Sequence, residues 1–88
     1  LLRKKNMTDA TFSARFYASI RDYLGYIEEV IKEGDLVAAQ KLGHKMLGLC
    51  QMFGTPEQVV LCEALENAES LPYLQQTLTQ FYALLDNS

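Results

Sequence analysis

The chain has 88 residues, of which 49% are hydrophobic, so it is long enough for one small domain with its own core. Its formal net charge of −3 provides no basic surface, which argues against binding to nucleic acid or to an anionic membrane. No apolar run approaches the roughly 18 residues of a membrane-spanning helix. The sequence begins LLRKKN rather than with methionine, so we expect residues 1–10 to be a linker or N-terminal tail and residues 11–88 to be the domain.

Apolar residues recur at steps of three and four along almost the whole chain, which predicts helices and no strands. The first helix is predicted over about residues 11–33. Gly34 is a typical stop, and Asp35 is a typical cap for the helix that follows. The inner stripe of the first helix consists of Phe16, Ile20, Tyr23, Ile27 and Val30, with Phe12 and Ile31 beside it.

Three further helices follow. The second is predicted over about residues 36–53 and ends at Gly54. Thr55, Pro56 and Gln58 form a capping-box pattern that starts the third, and Pro72 lies near the start of the fourth. The inner faces are Ala39, Leu42, Met46, Leu49 and Phe53 in the second helix, Leu61, Cys62, Leu65 and Ala68 in the third, and Leu71, Leu74, Leu78, Phe81 and Leu85 in the fourth. Because the connections are short, we predict an all-α, up-down-up-down antiparallel four-helix bundle.

Both cysteines, Cys50 and Cys62, lie in apolar helical segments and lack the spacing of a metal or redox motif. Two buried thiols are typical of a reducing compartment, so we expect a cytoplasmic protein in which they are structural. A disulfide bond between them stays open as an alternative.

The only histidine, His44, faces outward. At about 100° per residue it projects roughly 170° from the centre of the second helix's inner face. A metal site is not expected, because there is no second histidine and neither cysteine shares the stripe of His44. A Cys–His nucleophilic pair fails for the same reason, and no orienting acid is evident. An idle surface histidine remains the plain alternative. The neighbours of His44 on its stripe are Val37, Gln40, Lys41, Leu47, Gly48 and Gln51.

Two glycines flank His44 although glycine inside a helix costs on the order of 1 kcal/mol relative to alanine. Gly48 lies one turn after His44 and leaves bare backbone beside the imidazole. Gly43 projects nearer the core, where it allows a neighbouring helix to pack closely. Together with apolar Val37 and Leu47, Gly48 therefore predicts a docking face for another protein around the histidine.

The segment LGHKMLGLCQMFG resembles the active helix of histidine phosphotransfer (HPt) domains, which carry a pattern of the type A-H-x-L-K-G and a further glycine. His44 matches the phosphorylated histidine, Gly48 and Gly54 match the two glycines, and Gly43 replaces the usual alanine. The lead-in EGDLVAAQKLGH and the downstream LCEALENA are similar to the family as well. The resemblance spans residues 12–87.

The resemblance implies that His44 accepts a phosphoryl group from a receiver-domain aspartate and passes it to a response regulator. The domain is then a phosphocarrier rather than an enzyme by itself, and it binds no cofactor; magnesium is expected in the partner receiver. Lys41, Gln40 and Gln51 are expected to support the phosphoryl group. We expect a monomer without direct membrane contact, forming the C-terminal module of a bacterial hybrid sensor histidine kinase. A tether to the inner membrane through that kinase, or a free-standing relay protein, stays open.

One position departs from the family. Leu47 stands where the family usually has a lysine, three residues after the histidine. Lys41 lies on the stripe of His44 and could supply the missing charge, whereas Lys45 projects about 100° away. The departure supports an alternative function, a degenerate helical docking module that binds receiver domains through the same face without being phosphorylated.

Overall fold

The computed structural model describes the backbone of residues 2–87 and the side chains of residues 12–87. Over this range the regular structure consists of four α-helices: α1 (Leu2–Lys32), α2 (Leu36–Phe53), α3 (Pro56–Glu66) and α4 (Leu71–Asp86). Each helix packs on the next, and α1 also contacts α4. The short connections make successive helices antiparallel, so the predicted all-α four-helix bundle is confirmed.

The predicted caps position the helices. Gly34, in the left-handed region at φ 75°, makes the turn after α1, and the Asp35 side chain accepts a hydrogen bond from the Ala38 amide. At the start of α3, the Thr55 and Gln58 side chains each accept a hydrogen bond from the other residue's backbone amide. These short signals therefore fix where α2 and α3 begin.

Helix α1 starts at Leu2, well before the predicted start near Thr11. The early residues include leucine, arginine and lysine, which favour a helix, and no glycine or proline interrupts them. The side chains of residues 1–11 lie outside the described part of the chain, and the predicted linker or tail at residues 1–10 stays a prediction.

The core is formed by one face of each helix. Both cysteines belong to it, as free thiols without solvent exposure. Two residues predicted to point inward do not: Phe53 and Phe12 are about half exposed, and their rings contact each other at a centroid distance of 5.2 Å where α2 ends. The buried apolar residues are Phe16, Ile20, Leu24, Ile27, Ala39, Met46, Leu47, Cys50, Cys62, Leu65, Ala68, Leu74, Leu78, Phe81 and Leu85.

None of the described helices has the length and hydropathy of a membrane span.

Candidate functional site

The site is centred on His44, in the middle of α2. Its side chain is 71% exposed, so the expected outward position is confirmed. The imidazole Nδ1 lies 2.5 Å from Oε1 of Glu66, the last residue of α3. Glu66 is the more enclosed partner, with 29% of its side chain exposed. The solvent-exposed histidine is therefore attached on one side to a neighbouring helix.

This contact determines what the imidazole can do. A carboxylate accepts hydrogen bonds, so the pairing favours the tautomer with the proton on Nδ1. The lone pair then resides on Nε2, at the other edge of the ring, where it is available as a nucleophile. The expectation that no acid orients His44 was wrong. Glu66 was missed because 22 residues separate it from His44 and because the hydrogen bond joins two helices.

Gly43 brings Glu66 within reach of His44. A Cβ at Gly43 would lie 2.9 Å from the backbone nitrogen of Glu66 and 3.0 Å from Cβ of Leu65, so only glycine allows this separation of α2 and α3. The expectation that Gly43 allows close helix packing is confirmed. Glycine at position 43 therefore allows the Glu66 carboxylate to lie next to the imidazole.

A shallow groove of about 410 Å³, which we call the histidine groove, surrounds the imidazole. It is lined by Gln40, Lys41, His44, Lys45 and Glu66. The ammonium groups of two lysines therefore border the groove. Lys45 is one of them, although the helical projection places it about 100° from His44. The Gln40 side chain donates one hydrogen bond through Nε2 to the backbone carbonyl of Ala68, at 2.7 Å. One N–H of that amide group remains for a ligand.

The other predicted residues fall into two groups. Val37 and Gln51 are exposed, and a Cβ at Gly48 would meet no described atom within 4 Å. These three are therefore placed as expected on the outer side of α2. Leu47 was predicted to lie there as well, but this prediction was wrong: only 8% of Leu47 is exposed, and it packs in the core.

The position of Leu47 follows from the way α2 is packed. On a helical projection, the centre of its buried face lies about 60° closer to His44 than predicted. The reason is that α2 contacts both α1 and α3, so its buried face points between them. Leu47 lies at the edge of that face and does not belong to the docking surface. The buried residues of α2 are Ala39, Gly43, Met46, Leu47 and Cys50.

In the part of the chain with described side chains, no three His, Cys, Asp or Glu residues are arranged to hold a metal ion.

In a comparison with protein families, the sequence model for the Hpt domain matches residues 12–88. Comparisons with curated proteins and with solved structures gave no match.

Proposed function

The chain belongs to the Hpt domain family, which acts in phosphorelay signalling, and on this basis we propose that His44 is its phosphoacceptor. In this proposal His44 accepts a phosphoryl group from an aspartyl phosphate of a receiver domain and passes it to an aspartate of a response regulator. The main observation in support of this proposal is the exposed imidazole of His44. Its Nδ1 contacts Oε1 of Glu66, and its Nε2, at the other edge of the ring, points away from that contact.

The chemistry follows from this geometry. The Nε2 lone pair attacks phosphorus while the bond between phosphorus and the aspartate oxygen breaks, and the aspartate leaves as a carboxylate. The ring keeps its proton on Nδ1 and gains positive charge, which the Glu66 carboxylate stabilises from 2.5 Å. The reverse sequence passes the group to the next aspartate. Glu66 therefore orients the nucleophile and balances its charge without touching the phosphoryl group.

The histidine groove supplies positive charge for the transferred group. A phosphoryl group in flight spreads negative charge over its oxygens, and ammonium groups nearby favour that state. Lys41 and Lys45 both line the groove, and the remaining N–H of Gln40 is a further donor. Gln51 lies on the same exposed side of α2. The lysine missing at position 47 is in this way replaced by two lysines that border His44.

The partner docks, in this proposal, against the exposed side of α2. The bare backbone at Gly48 leaves room for an approaching surface, and Val37, 58% exposed, provides apolar contact. The magnesium ion is bound by acidic residues of the receiver domain. The wider setting follows from the resemblance alone: a monomeric cytoplasmic module of a bacterial hybrid sensor histidine kinase.

Incubation with phosphorylated receiver domains tests the proposal. The protein should gain acid-labile, base-stable phosphate on His44, and His44→Gln should gain none while keeping its affinity for the receiver. A protein that binds a receiver and never acquires phosphate would be the docking module instead, and the proposal would be wrong.

The lysines provide a second arm of the same experiment. Lys41→Ala and Lys45→Ala should each slow transfer by about tenfold, as expected for one charge-assisted contact of about 1–3 kcal/mol. Lys32→Ala, on the exposed end of α1, is the matched control and should transfer at the normal rate. Equal rates for all four proteins would remove the groove lysines from the mechanism.

A further inference from the structure

The proposed relay leaves one pair of cysteines unused. Cys50 Sγ on α2 and Cys62 Sγ on α3 lie 3.6 Å apart, and both thiols are free and fully buried. We propose that this pair is a site of reversible disulfide formation, which cross-links α2 to α3 in the core.

The geometry brings the two sulfur atoms close to bonding distance. A disulfide bond is about 2.05 Å long, so the sulfurs need to approach by about 1.5 Å. The two helices are antiparallel neighbours joined by the short turn at residues 54–55, and they pack more extensively than any other helix pair of the bundle. Rotation of two side chains and a small helix movement can supply this approach without unfolding either helix.

The hydrogen bond between the thiols assigns them different roles. Cys62 donates to Cys50 Sγ, and this bond lowers the pKa of Cys50 below its usual value although burial opposes the effect. The same hydrogen bond, together with burial and the nearby charges of Cys50 and Glu63, raises the pKa of Cys62. Because its sulfur accepts the hydrogen bond, Cys50 is assigned as the thiol that reacts first, and Cys62 as the thiol that resolves the product.

Hydrogen peroxide is the oxidant that suits a buried pair, because it is little larger than water. The Cys50 thiolate attacks one peroxide oxygen, the O–O bond breaks, and Cys50 becomes a sulfenic acid while hydroxide leaves. The Cys62 sulfur then attacks the Cys50 sulfur and displaces a second hydroxide, which takes up the Cys62 proton to leave as water. The two thiols lose two electrons and two protons, and one peroxide becomes two waters. A dithiol reductant reverses the change.

The cross-link leaves the histidine site in place. At Gly43 the α2 backbone packs so closely on Leu65 and Glu66 of α3 that a Cβ would not fit, so this contact leaves little room for a further approach of the helices. Closing the disulfide therefore pivots them about that contact, which lies seven residues, or about 10 Å, from Cys50. His44 is one residue, about 1.5 Å along the helix axis, from the pivot, so a movement of about 1.5 Å at the sulfurs becomes about 0.2 Å at the backbone of His44. The bond consequently stabilises the bundle with little effect on phosphoryl acceptance.

Mass spectrometry of the folded protein tests whether the bond forms. Peroxide treatment should remove two hydrogens, about 2 Da, from the monomer, and dithiothreitol should restore them. Glu57 is the only acidic residue between the cysteines, so a glutamate-specific protease separates the two thiols in the reduced protein. In the oxidised protein the two peptides should stay joined. Sulfenic or sulfinic products, or dimers, without the internal bond would overturn the proposal.

Thermal unfolding tests the consequence. The oxidised protein should melt about 5–15 °C above the reduced protein, because the cross-link lowers the conformational entropy of the unfolded chain. Cys50→Ala and Cys62→Ala should show no rise in melting temperature on oxidation. The comparison of oxidised with reduced wild type needs neither variant, so the test remains valid even if the variants fold poorly. A lower or equal melting temperature for the cross-linked protein would contradict the stabilising role.

Phosphoryl acceptance tests the pivot, and this arm alone rests on the proposed function. The oxidised protein should accept phosphate within twofold of the reduced rate. A larger change would overturn the pivot argument, whereas failure of both forms to accept phosphate would count against the proposed function and leave the mass and melting results standing.

Discussion

Gly43 lies against Leu65 so closely that an added methyl group would reach the Leu65 Cβ at 3.0 Å and the next backbone nitrogen at 2.9 Å. At Gly48, on the same helix, an added methyl group would meet no described atom within 4 Å beyond its chain neighbours and its own helix backbone. The two glycines that flank His44 therefore serve different purposes. One sets the separation of α2 and α3, and the other leaves the surface beside the histidine open.

Alanine substitution separates the two purposes. Gly43→Ala should lower the free energy of unfolding by about 1–3 kcal/mol, because α3 backbone has to move to admit the methyl group. Gly48→Ala is the matched control and should raise it by about 0.5–1 kcal/mol, the usual gain for a helical glycine in open space. Urea unfolding of the three proteins measures both changes. A Gly43→Ala protein as stable as wild type would show that α2 and α3 are less tightly packed.

A larger substitution at Gly48 tests docking. Gly48→Leu should weaken binding to a receiver domain by about tenfold or more, because a branched side chain then stands beside His44. Gly25→Leu is the control, since Gly25 is also helical and also has open space, but belongs to α1. Titration calorimetry with a receiver measures both affinities. Equal loss in the two variants would point to a general effect on the bundle instead of a docking surface.

Leu47→Lys restores the lysine that the family usually carries and tests where residue 47 lies. The free energy of unfolding should fall by about 1–3 kcal/mol, because a core leucine is replaced by a charge that has to reach solvent along its own stem. Leu47→Met, of similar volume, should cost less than about 1.5 kcal/mol. Transfer by Leu47→Lys should stay equal or rise, since the ammonium would emerge on the side of His44. An unchanged stability would mean that Leu47 is not in the core.

The four helices were predictable because their signals are local. Caps such as Asp35 and Thr55 act within four residues, and apolar residues at three- and four-residue steps reveal a buried face without knowledge of the partner. The outward direction of His44 followed from the same periodicity. The assignments of Leu47 and Phe53 were wrong because the buried face of α2 depends on where α1 and α3 lie beside it.

The candidate site was predictable only in part, for a related reason. Residues one turn from His44 on α2 follow from helix geometry, and Gly48 is open as expected. Glu66 and the groove position of Lys45 depend on the distance and rotation between α2 and α3. The contact of Gly43 with α3 sets this distance and rotation. In the sequence, the only local sign of that contact is the glycine itself.

Alkaline pH should weaken the bundle through Tyr82. Its hydroxyl donates a hydrogen bond to Glu28 Oε2, and the pKa of Tyr82 is raised to about 12 by burial, by that bond and by the Glu28 charge, with Arg21 opposing. Between pH 10 and pH 12 the folded state therefore binds more protons than the unfolded state, so stability falls as pH rises. Tyr82→Phe should be less stable than wild type below pH 10, and this difference should shrink towards pH 12. A constant difference in urea unfolding at pH 8, 10 and 11 would contradict the assignment.

The final prediction concerns Glu66 as the residue that positions His44. Glu66→Ala removes the partner of Nδ1, so the ring turns freely and either nitrogen can carry the proton. Phosphoryl acceptance at saturating receiver should fall by about tenfold or more, with little change in receiver affinity, because Glu66 acts on the nucleophile. Glu66→Gln keeps an oxygen that can accept a hydrogen bond from Nδ1–H but loses the negative charge, so it should recover part of the rate. Glu69→Ala, three residues further on and exposed, is the control and should transfer normally.

Single-turnover transfer from a phosphorylated receiver, measured over a range of receiver concentrations, separates rate from affinity. If Glu66→Gln and Glu66→Ala were equally slow, the charge rather than the orientation would be the contribution of Glu66; if neither were slow, the contact would have no part in the relay.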